Sequence, residues 1–289
     1  MTQTQAFDVD YRRAFHAELV ESGVLSMRDG VASNADRSSN PSKRLAAAIY
    51  AAVTETAGDA AAKLPGQTAG AQFEQICARY VEAAFADLHD ARPGDWIIGC
   101  DGVQGGTGLA HFEQFSHLAL LERLANENPK LKAAIGSDYM IKPDVLIARR
   151  PQTDARLLDE DRTKLDLKHA TRTPLRLQNS GKPLLHATIS CKWTMRSDRA
   201  QNARTEALNL MKNRKGRVPH MVVITGEPTP GRLASLAYGT GEVDCVYHFA
   251  LSELIAAVEA EDMADDTLRA MLDGNRLRDI SDLPFDLAI

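Results

Sequence analysis

The stretch LLHATISCKWTMRSDRAQNARTEALNLMKNRKGRVPHMVVI, residues 184–224, contributes most to the fold prediction. It opens on an apolar run that predicts a buried strand over 184–193. A polar segment with helical spacing predicts a helix over 199–212, and a second apolar run predicts a strand over 221–224. A strand, a helix and a strand in this order are typical of an α/β layer with helices on its faces.

The segments on either side extend the same pattern. Further short apolar runs predict strands over 96–98, 145–148 and 245–249. Apolar residues at helical spacing predict helices over 41–57, 73–88, 111–127 and 251–261. We expect the glycine-rich segment 101–108 to form a surface hairpin, and segment 151–182 to be irregular. No linker or repeat divides the chain, so we expect one α/β domain over residues 1–289.

Composition excludes several classes of protein. The chain has 289 residues and a net charge of -5, with 44% hydrophobic and 25% charged residues, which is ordinary for a globular protein and unlike a disordered chain. No apolar run is long enough for a membrane span, so we expect no membrane association. Four widely spaced cysteines, Cys77, Cys100, Cys191 and Cys245, predict reduced thiols in a cytoplasmic protein.

The window from residue 192 to residue 217 is strongly basic in this mildly acidic chain. It holds eight Lys or Arg residues against two acids. One interpretation is a solvated helix face. The other is a local patch that contacts the phosphates of a nucleic acid, since a specific DNA enzyme does not need a basic chain overall.

Three residues within and beside the predicted strands suit metal-dependent phosphodiester hydrolysis. Asp144 precedes one strand, Lys192 ends another, and Glu206 lies on the helix that follows. Carboxylates bind hard divalent cations, and an amine can stabilise the charge that develops on phosphorus. The alternative is that these residues merely end strands or face solvent.

The spacing of these residues resembles a minority pattern among PD-(D/E)XK nucleases. There are 47 residues between Asp144 and Lys192, and 13 between Lys192 and Glu206. The carboxylate that usually stands two residues before the lysine is replaced by Ser190. Glu206 would therefore supply the missing carboxylate from the helix.

Longer blocks resemble the NgoMIV family of type II restriction endonucleases, within the PD-(D/E)XK superfamily. They lie in the same order along nearly the whole chain, and segments 99–110 and 151–182 match least. The blocks are VASNADRS, LPGQTAGAQFEQIC, GSDYMIKPD, the run from HATISCKW to CVYHFAL, and RLRDISDLPFDLAI. The resemblance implies a restriction-endonuclease-like fold, with a central mixed β-sheet flanked by α-helices.

The same resemblance implies an active site. Asp144, Lys192 and Glu206 match the family's catalytic positions, and Glu74 matches a further acidic residue near the metals. The implied cofactor is Mg²⁺, two ions per active site, with Asp144, Glu206 and the main-chain carbonyl of Cys191 as ligands. Taken alone, Glu74 could equally be a solvated residue on the flank of its helix.

Base recognition is expected directly after the lysine, at Arg196, Asp198 and Arg199. Arg suits the two acceptors of guanine and Asp accepts from the amino group of cytosine. An alternative is a capping arrangement at the start of the helix. The resemblance implies that these three read a central CCGG. It further implies contacts at the outer G·C pair and in the minor groove, by Asp36, Ser38, Arg232 and Gln67.

The resemblance therefore implies Mg²⁺-dependent cleavage of double-stranded DNA at GCCGGC, after the first G, leaving 5′ overhangs. A palindrome demands two-fold symmetry, and the family's arrangement is a homotetramer of two dimers. A cognate DNA methyltransferase would protect host DNA in the bacterial cytoplasm. The alternatives are a repair-type nuclease of the same fold and a sequence-specific DNA-binding protein without hydrolysis.

Overall fold

The computed structural model describes residues 10–57, 64–100, 108–135, 143–158, 165–195, 197–239, 241–263 and 266–289. Within these ranges the helices are α1 (Tyr11–Glu21), α2 (Asn40–Ala57), α3 (Gly66–Ala86), α4 (Leu118–Glu127), α5 (Pro129–Ile135), α6 (Asp154–Leu157), α7 (Ser197–Asn213), α8 (Pro230–Ala237), α9 (Leu251–Ala260), α10 (Asp266–Asp273) and α11 (Leu283–Leu287). The strands are β1 (Met27–Arg28), β2 (Val31–Ala32), β3 (Trp96–Gly99), β4 (Val145–Arg149), β5 (Leu184–Lys192), β6 (His220–Thr225), β7 (Cys245–His248) and β8 (Leu277–Asp279).

Six of the strands form a mixed sheet in the order β3-β4-β5-β6-β7-β8. The pairs β3–β4 and β4–β5 are antiparallel, whereas β5, β6, β7 and β8 run parallel to one another. Strands β1 and β2 form a separate hairpin. The expected α/β fold with a central mixed sheet is confirmed.

The central strands are buried because helices cover both faces of the sheet. On one face Phe73 of α3 packs against Trp193, with ring centroids 5.0 Å apart. On the other face Ala203 and Ala207 of α7 line a narrow crevice together with residues of β5 and β6. Side chains alternate along a strand, so even-numbered positions 188–192 of β5 share the face towards α7.

The predicted helix over 111–127 is wrong in its first turns. Two 3₁₀ turns, Leu109–His111 and Glu113–Phe115, come first, and α4 begins only at Leu118. The buried side-chain amide of Gln114 donates to the carbonyl of Leu185 and accepts from its N–H, at 2.7 and 2.9 Å. The Glu113 N–H donates to the carbonyl of Pro183. Through these contacts the segment adds hydrogen bonds to the start of β5, which a continuous helix could not do.

The remaining expectations for the organisation of the chain have mixed outcomes. Segment 151–182 contains the short α6 and is otherwise irregular where it is described, as expected. Most of the glycine-rich segment lies outside the described residues, at 101–107. In the described ranges every helix is too short or too polar to cross a bilayer. The four cysteines are free thiols.

Acid is expected to destabilise the fold through His248. This fully buried imidazole accepts from the N–H of Ala250, and burial lowers its pKa to about 4. In the unfolded chain the imidazole should have a pKa near 6.5, so the unfolded chain takes up a proton at a higher pH than the folded chain does. The stability that the neutral imidazole gives is therefore complete above pH 6.5 and is lost as the pH falls towards 4. The expected loss in the free energy of unfolding is about 3 kcal/mol.

Urea unfolding at several pH values between 7 and 4 measures this effect. The variant His248→Gln should show a shallower dependence on pH, and His89→Gln, a change at an exposed histidine, should not. Equal slopes for wild type and His248→Gln would show that this imidazole is not responsible.

Candidate active site

The pairing of β4 with β5 brings Asp144 and Lys192 together. Asp144 immediately precedes β4, and Lys192 is the last residue of β5. The two strands are antiparallel with Val145 opposite Ile189, so the start of β4 lies beside the end of β5. Two residues that are 48 positions apart in the sequence therefore meet at one edge of the sheet.

The carboxylate of Asp144 is held by three donors of β5. Its Oδ2 atom accepts from the Nζ of Lys192 at 2.8 Å and from the main-chain N–H of Cys191 at 2.7 Å. The hydroxyl of Ser190 lies 3.4 Å from the same oxygen. The side chains of Lys192 and Asp144 are only 16% and 19% exposed, so solvent screens this ion pair weakly.

Lys192 is protonated in this setting. Burial by itself lowers the pKa of its ammonium, but the charge and hydrogen bond of Asp144 and the charge of Glu206 raise it overall. The group therefore remains a cation at neutral pH. A fixed cation at this position can stabilise negative charge on a bound phosphate.

Glu206 reaches the same site from α7. Burial raises the pKa of its carboxyl and the charge of Asp144 adds to the rise, while Lys192 and a hydrogen bond with Ser190 oppose it. The side chain lies near Ser190, on the face of β5 that α7 covers. The structure brings Asp144, Lys192 and Glu206 together, as the sequence analysis expected.

Glu74 approaches from α3, on the opposite face of the sheet from α7. Burial raises the pKa of its carboxyl, and the charge of Asp144 contributes to the rise. Lys192 acts in the other direction. The residue is thus electrostatically coupled to the Asp144–Lys192 pair and is half-buried, which a freely solvated flank residue would not be.

The thiol of Cys191 is unsuited to metal binding. Burial raises the pKa of Cys191 well above its ordinary value, and a hydrogen bond with Cys77 adds to the rise. A thiol that stays protonated is a poor metal ligand. The ligand atom that the resemblance implies at this residue is the main-chain carbonyl, not the thiol.

The donor set fits a hard divalent cation. Asp144, Glu206 and the main-chain carbonyl of Cys191 offer only oxygen, which Mg²⁺ prefers. In the part of the chain that the structure describes, no three His, Cys, Asp or Glu side chains are spaced to hold a metal. Two carboxylates with a carbonyl still suffice for Mg²⁺, because this ion keeps several waters and takes substrate phosphate oxygens as further ligands.

Two of the three candidate residues for outer-base recognition, Asp36 and Arg232, form an ion pair. Nη2 of Arg232, near the start of α8, donates to Oδ2 of Asp36, in the loop before α2. The Ser38 hydroxyl and N–H both donate to Oδ1 of Asp36, at 2.7 and 2.9 Å. These hydrogen bonds and Arg232 hold the pKa of Asp36 well below its usual range.

Glu227, which the sequence analysis did not single out, connects this ion pair to the segment after Lys192. Its buried carboxylate accepts from the N–H of Met195 at 3.0 Å and lies 3.7 Å from Nη1 of Arg232. Arg232 also donates to the carbonyl of Met195 at 3.3 Å. Glu227 directly follows Gly226 at the end of β6. Its position at that edge of the sheet is the sequence feature that could have identified it as a candidate.

Close packing next to Glu227 explains the glycine before it. A Cβ atom on Gly226 would lie 2.6–2.8 Å from atoms of Trp193. The side chain of Asn34 donates to the Gly226 carbonyl at 2.8 Å and thereby ties the loop that carries Asp36 to the sheet. The segments around Asp36, Met195 and Arg232 are thus joined through buried polar contacts.

The other candidate residues cannot be placed in the same detail. Arg196 lies outside the described residues, and the side chains of Asp198 and Arg199, at the start of α7, are not described. The same holds for the side chain of Gln67 in the first turn of α3. Their roles stay predictions.

Two solved structures resemble the chain at low similarity. The type IIF restriction endonuclease Bse634I with cognate DNA is 14% identical, with a TM-score of 0.39 over 87% of this chain and 91% of that chain. A second Bse634I structure is 15% identical, with a TM-score of 0.37 over 75% and 84% of the two chains. No conclusion is drawn from likenesses at these TM-scores.

Sequence similarity is much stronger. The family model described as NgoMIV restriction enzyme matches residues 15–289. The type II restriction enzyme NgoMIV of Neisseria gonorrhoeae is 48% identical over 282 residues, which cover 96% of this chain and 97% of that protein. On this similarity the chain belongs to the NgoMIV restriction enzyme family and is a type II restriction endonuclease.

Proposed function

We propose that this restriction endonuclease hydrolyses double-stranded DNA at GCCGGC with Mg²⁺, after the first G, leaving 5′ overhangs. The observation that carries the chemistry is the Asp144 carboxylate held between the Lys192 ammonium and the Cys191 N–H, beside Glu206. The family membership supports DNA as the substrate. The site sequence and cut position rest on the resemblance of the recognition segments.

In the proposed mechanism Asp144, Glu206 and the Cys191 carbonyl would hold two Mg²⁺ ions, with Glu74 nearby. Mg²⁺ held there would supply charge neutralisation of the phosphate and make a nearby water more acidic. Lys192 orients the attacking water and stabilises the charge that develops on the phosphoryl oxygens. Asp144 fixes the direction of the ammonium through the 2.8 Å hydrogen bond.

Recognition is proposed to involve two groups of residues. Arg196, Asp198 and Arg199 read the central CCGG from the start of α7. Asp36, Ser38 and Arg232 read the outer G·C pair, and Gln67 contacts the minor groove. The buried contacts of Glu227 and Arg232 with Met195 fix the positions of the two groups of residues relative to each other.

The variant Arg232→Gln is expected to lose discrimination at the outer base pair. The change removes the guanidinium that Asp36 orients. A lost bidentate contact to a base costs roughly 1–3 kcal/mol of discrimination at one position. Binding in Ca²⁺, which is expected to permit binding without cleavage, compares GCCGGC with ACCGGT duplexes. A variant that still prefers GCCGGC as strongly as wild type would contradict the role of Arg232.

The variant Asp198→Ala is expected to lose discrimination at a cytosine of the CCGG core. Removal of a carboxylate that accepts from cytosine affects one position, whereas loss of a phosphate contact weakens all sequences alike. Lys212→Ala, at an exposed residue of the same helix, is the control and should keep the ranking of sites. Equal weakening of all duplexes by Asp198→Ala, measured at two salt concentrations, would exclude this recognition role.

A palindromic site requires a two-fold pair of subunits, and the resemblance implies a homotetramer of two such dimers, which is the assembly proposed here. Each subunit is proposed to be one domain over residues 1–289. The proposed setting is the bacterial cytoplasm, where a cognate methyltransferase modifies the same sites. The free cysteines agree with a reducing compartment.

Plasmid DNA incubated with and without Mg²⁺ tests the proposed function. Discrete fragments that require Mg²⁺ and vanish with EDTA are the expected result. DNA binding without any fragments would favour a protein that binds a specific sequence without hydrolysis. Cleavage without sequence preference would favour a repair-type nuclease.

A further inference from the structure

A cavity of about 380 Å³ lies at the end of the sheet opposite the active site. It is lined by Trp96 at the start of β3, Arg149 at the end of β4, and the first residues of β5 and β6. His186 of this cavity and Lys192 are six residues apart on β5. At about 3.3 Å per residue, the cavity lies roughly 20 Å from the active-site lysine. It is therefore separate from the catalytic centre.

The lining of this cavity is predominantly cationic. Its described residues include four basic side chains, Arg92, Arg149, Lys215 and Arg217, and one acidic side chain, that of Glu113. Glu113 accepts a hydrogen bond from the Ser180 hydroxyl at 2.7 Å. Like charges gathered around one cavity repel each other, so this arrangement costs free energy in the absence of an anion.

Two of these arginines flank one indole ring. The guanidinium carbons of Arg92 and Arg149 lie over Trp96, 5.5 and 5.6 Å from the ring centroid. The Nε atoms of both are buried and have no acceptor among the described residues. Burial lowers the pKa of Arg92, and the charges of Arg149 and Arg217 lower it further.

A neutral histidine helps to hold Arg92 in the wall. Burial lowers the pKa of His186 to about 4, so the ring is uncharged at neutral pH. Its Nε2 lies 2.6 Å from the carbonyl of Leu287 and therefore carries the proton. The other ring nitrogen, Nδ1, is left to accept from Nη2 of Arg92 at 3.4 Å.

We propose that this cavity binds a polyphosphate, either inorganic or carried by a nucleotide. Guanidinium groups pair with phosphate oxygens through parallel hydrogen bonds, and the volume is within the usual range for small-molecule sites. Arg92 and Arg149 lie over the Trp96 ring, which is therefore not free to stack on a base. The phosphates, rather than a nucleobase, are the recognised groups.

Titration calorimetry of the full chain with sodium tripolyphosphate tests this proposal. EDTA and a fixed ionic strength remove binding through divalent ions and bulk salt effects. Saturable binding at one site per chain is expected. The double variant Lys215→Gln/Arg217→Gln, at two exposed residues of the cavity rim, should weaken it roughly tenfold. The control Arg123→Gln/Lys212→Gln changes the net charge equally, away from the cavity, and should bind like wild type.

A second titration with ATP identifies the source of the phosphates. Equal affinity for ATP and tripolyphosphate would support recognition of the phosphates alone, whatever carries them, and much tighter binding of ATP would overturn that assignment. The proposal is overturned if neither probe binds saturably, or if the rim and control variants weaken binding equally. If no probe binds and the rim variant changes the sedimentation coefficient, the cavity is a contact between chains and the proposal is wrong.

Discussion

Replacing Lys192 with Ala is expected to slow DNA cleavage by roughly 10³-fold or more, while DNA binding in Ca²⁺ stays within a few-fold of wild type. The ammonium of Lys192 is a buried cation fixed 2.8 Å from the Asp144 carboxylate. It can stabilise charge that exists in the transition state and not in the bound DNA. Its loss should therefore lower the cleavage rate and leave affinity nearly intact. Single-turnover cleavage and Ca²⁺ binding measure the two quantities separately.

The matched control is Lys212→Ala, at an exposed lysine, which should cleave at nearly the wild-type rate. Asp144 keeps its hydrogen bond from the Cys191 N–H in the Lys192 variant, so the local structure should survive. A thermal unfolding curve checks that point. Asp144→Ala should likewise abolish cleavage, and should bind DNA at least as tightly as wild type because it removes a negative charge beside the phosphate. Near-normal cleavage by either variant would refute the assignment of the active site.

Replacing Glu206 with Ser is expected to lower cleavage by a comparable factor, and adding Ser190→Glu should not restore it. The Ser190 hydroxyl lies 3.4 Å from the Asp144 carboxylate, so a glutamate at position 190 would approach the site from β5. Glu206 instead reaches the site from α7, where burial and the charge of Asp144 raise its pKa. The direction of approach differs, and metal geometry is sensitive to it.

The comparison needs wild type, Glu206→Ser, Ser190→Glu and the double variant in one set of Mg²⁺ titrations. Glu206→Ser should be inactive at every Mg²⁺ concentration. If the double variant recovers most of the wild-type rate, the charge alone matters and the helical origin of the carboxylate does not.

The core strands could be predicted because each is a short apolar run that needs cover on both faces. The observed β4, β5 and β6 match the predictions within two residues at each end. Helix α1 and strand β8 were not predicted. Arg12 of α1 donates to Asp279 of β8 and to Glu253 of α9, and these ion pairs join segments more than 240 residues apart. Such contacts depend on the tertiary fold and leave no local periodicity.

The convergence of Asp144, Lys192 and Glu206 could be predicted because strand ends and spacing place these three residues at one sheet edge. Glu227 could not, since its role depends on hydrogen bonds with Met195 and proximity to Arg232 that arise only in the folded chain. The cationic cavity could not be predicted from the sequence either. Arg92, Arg149 and Arg217 are scattered over 125 positions and are gathered only by the starts and ends of different strands.

Sequencing the ends of DNA fragments produced by the wild-type enzyme in Mg²⁺ is the most direct measurement of the proposed function. The proposed function, which rests on the family resemblance for the site, predicts that every end derives from GCCGGC and begins with CCGG after the first G. Ends that map to another sequence, a cut at another position, or no fragments at all would contradict the proposed function.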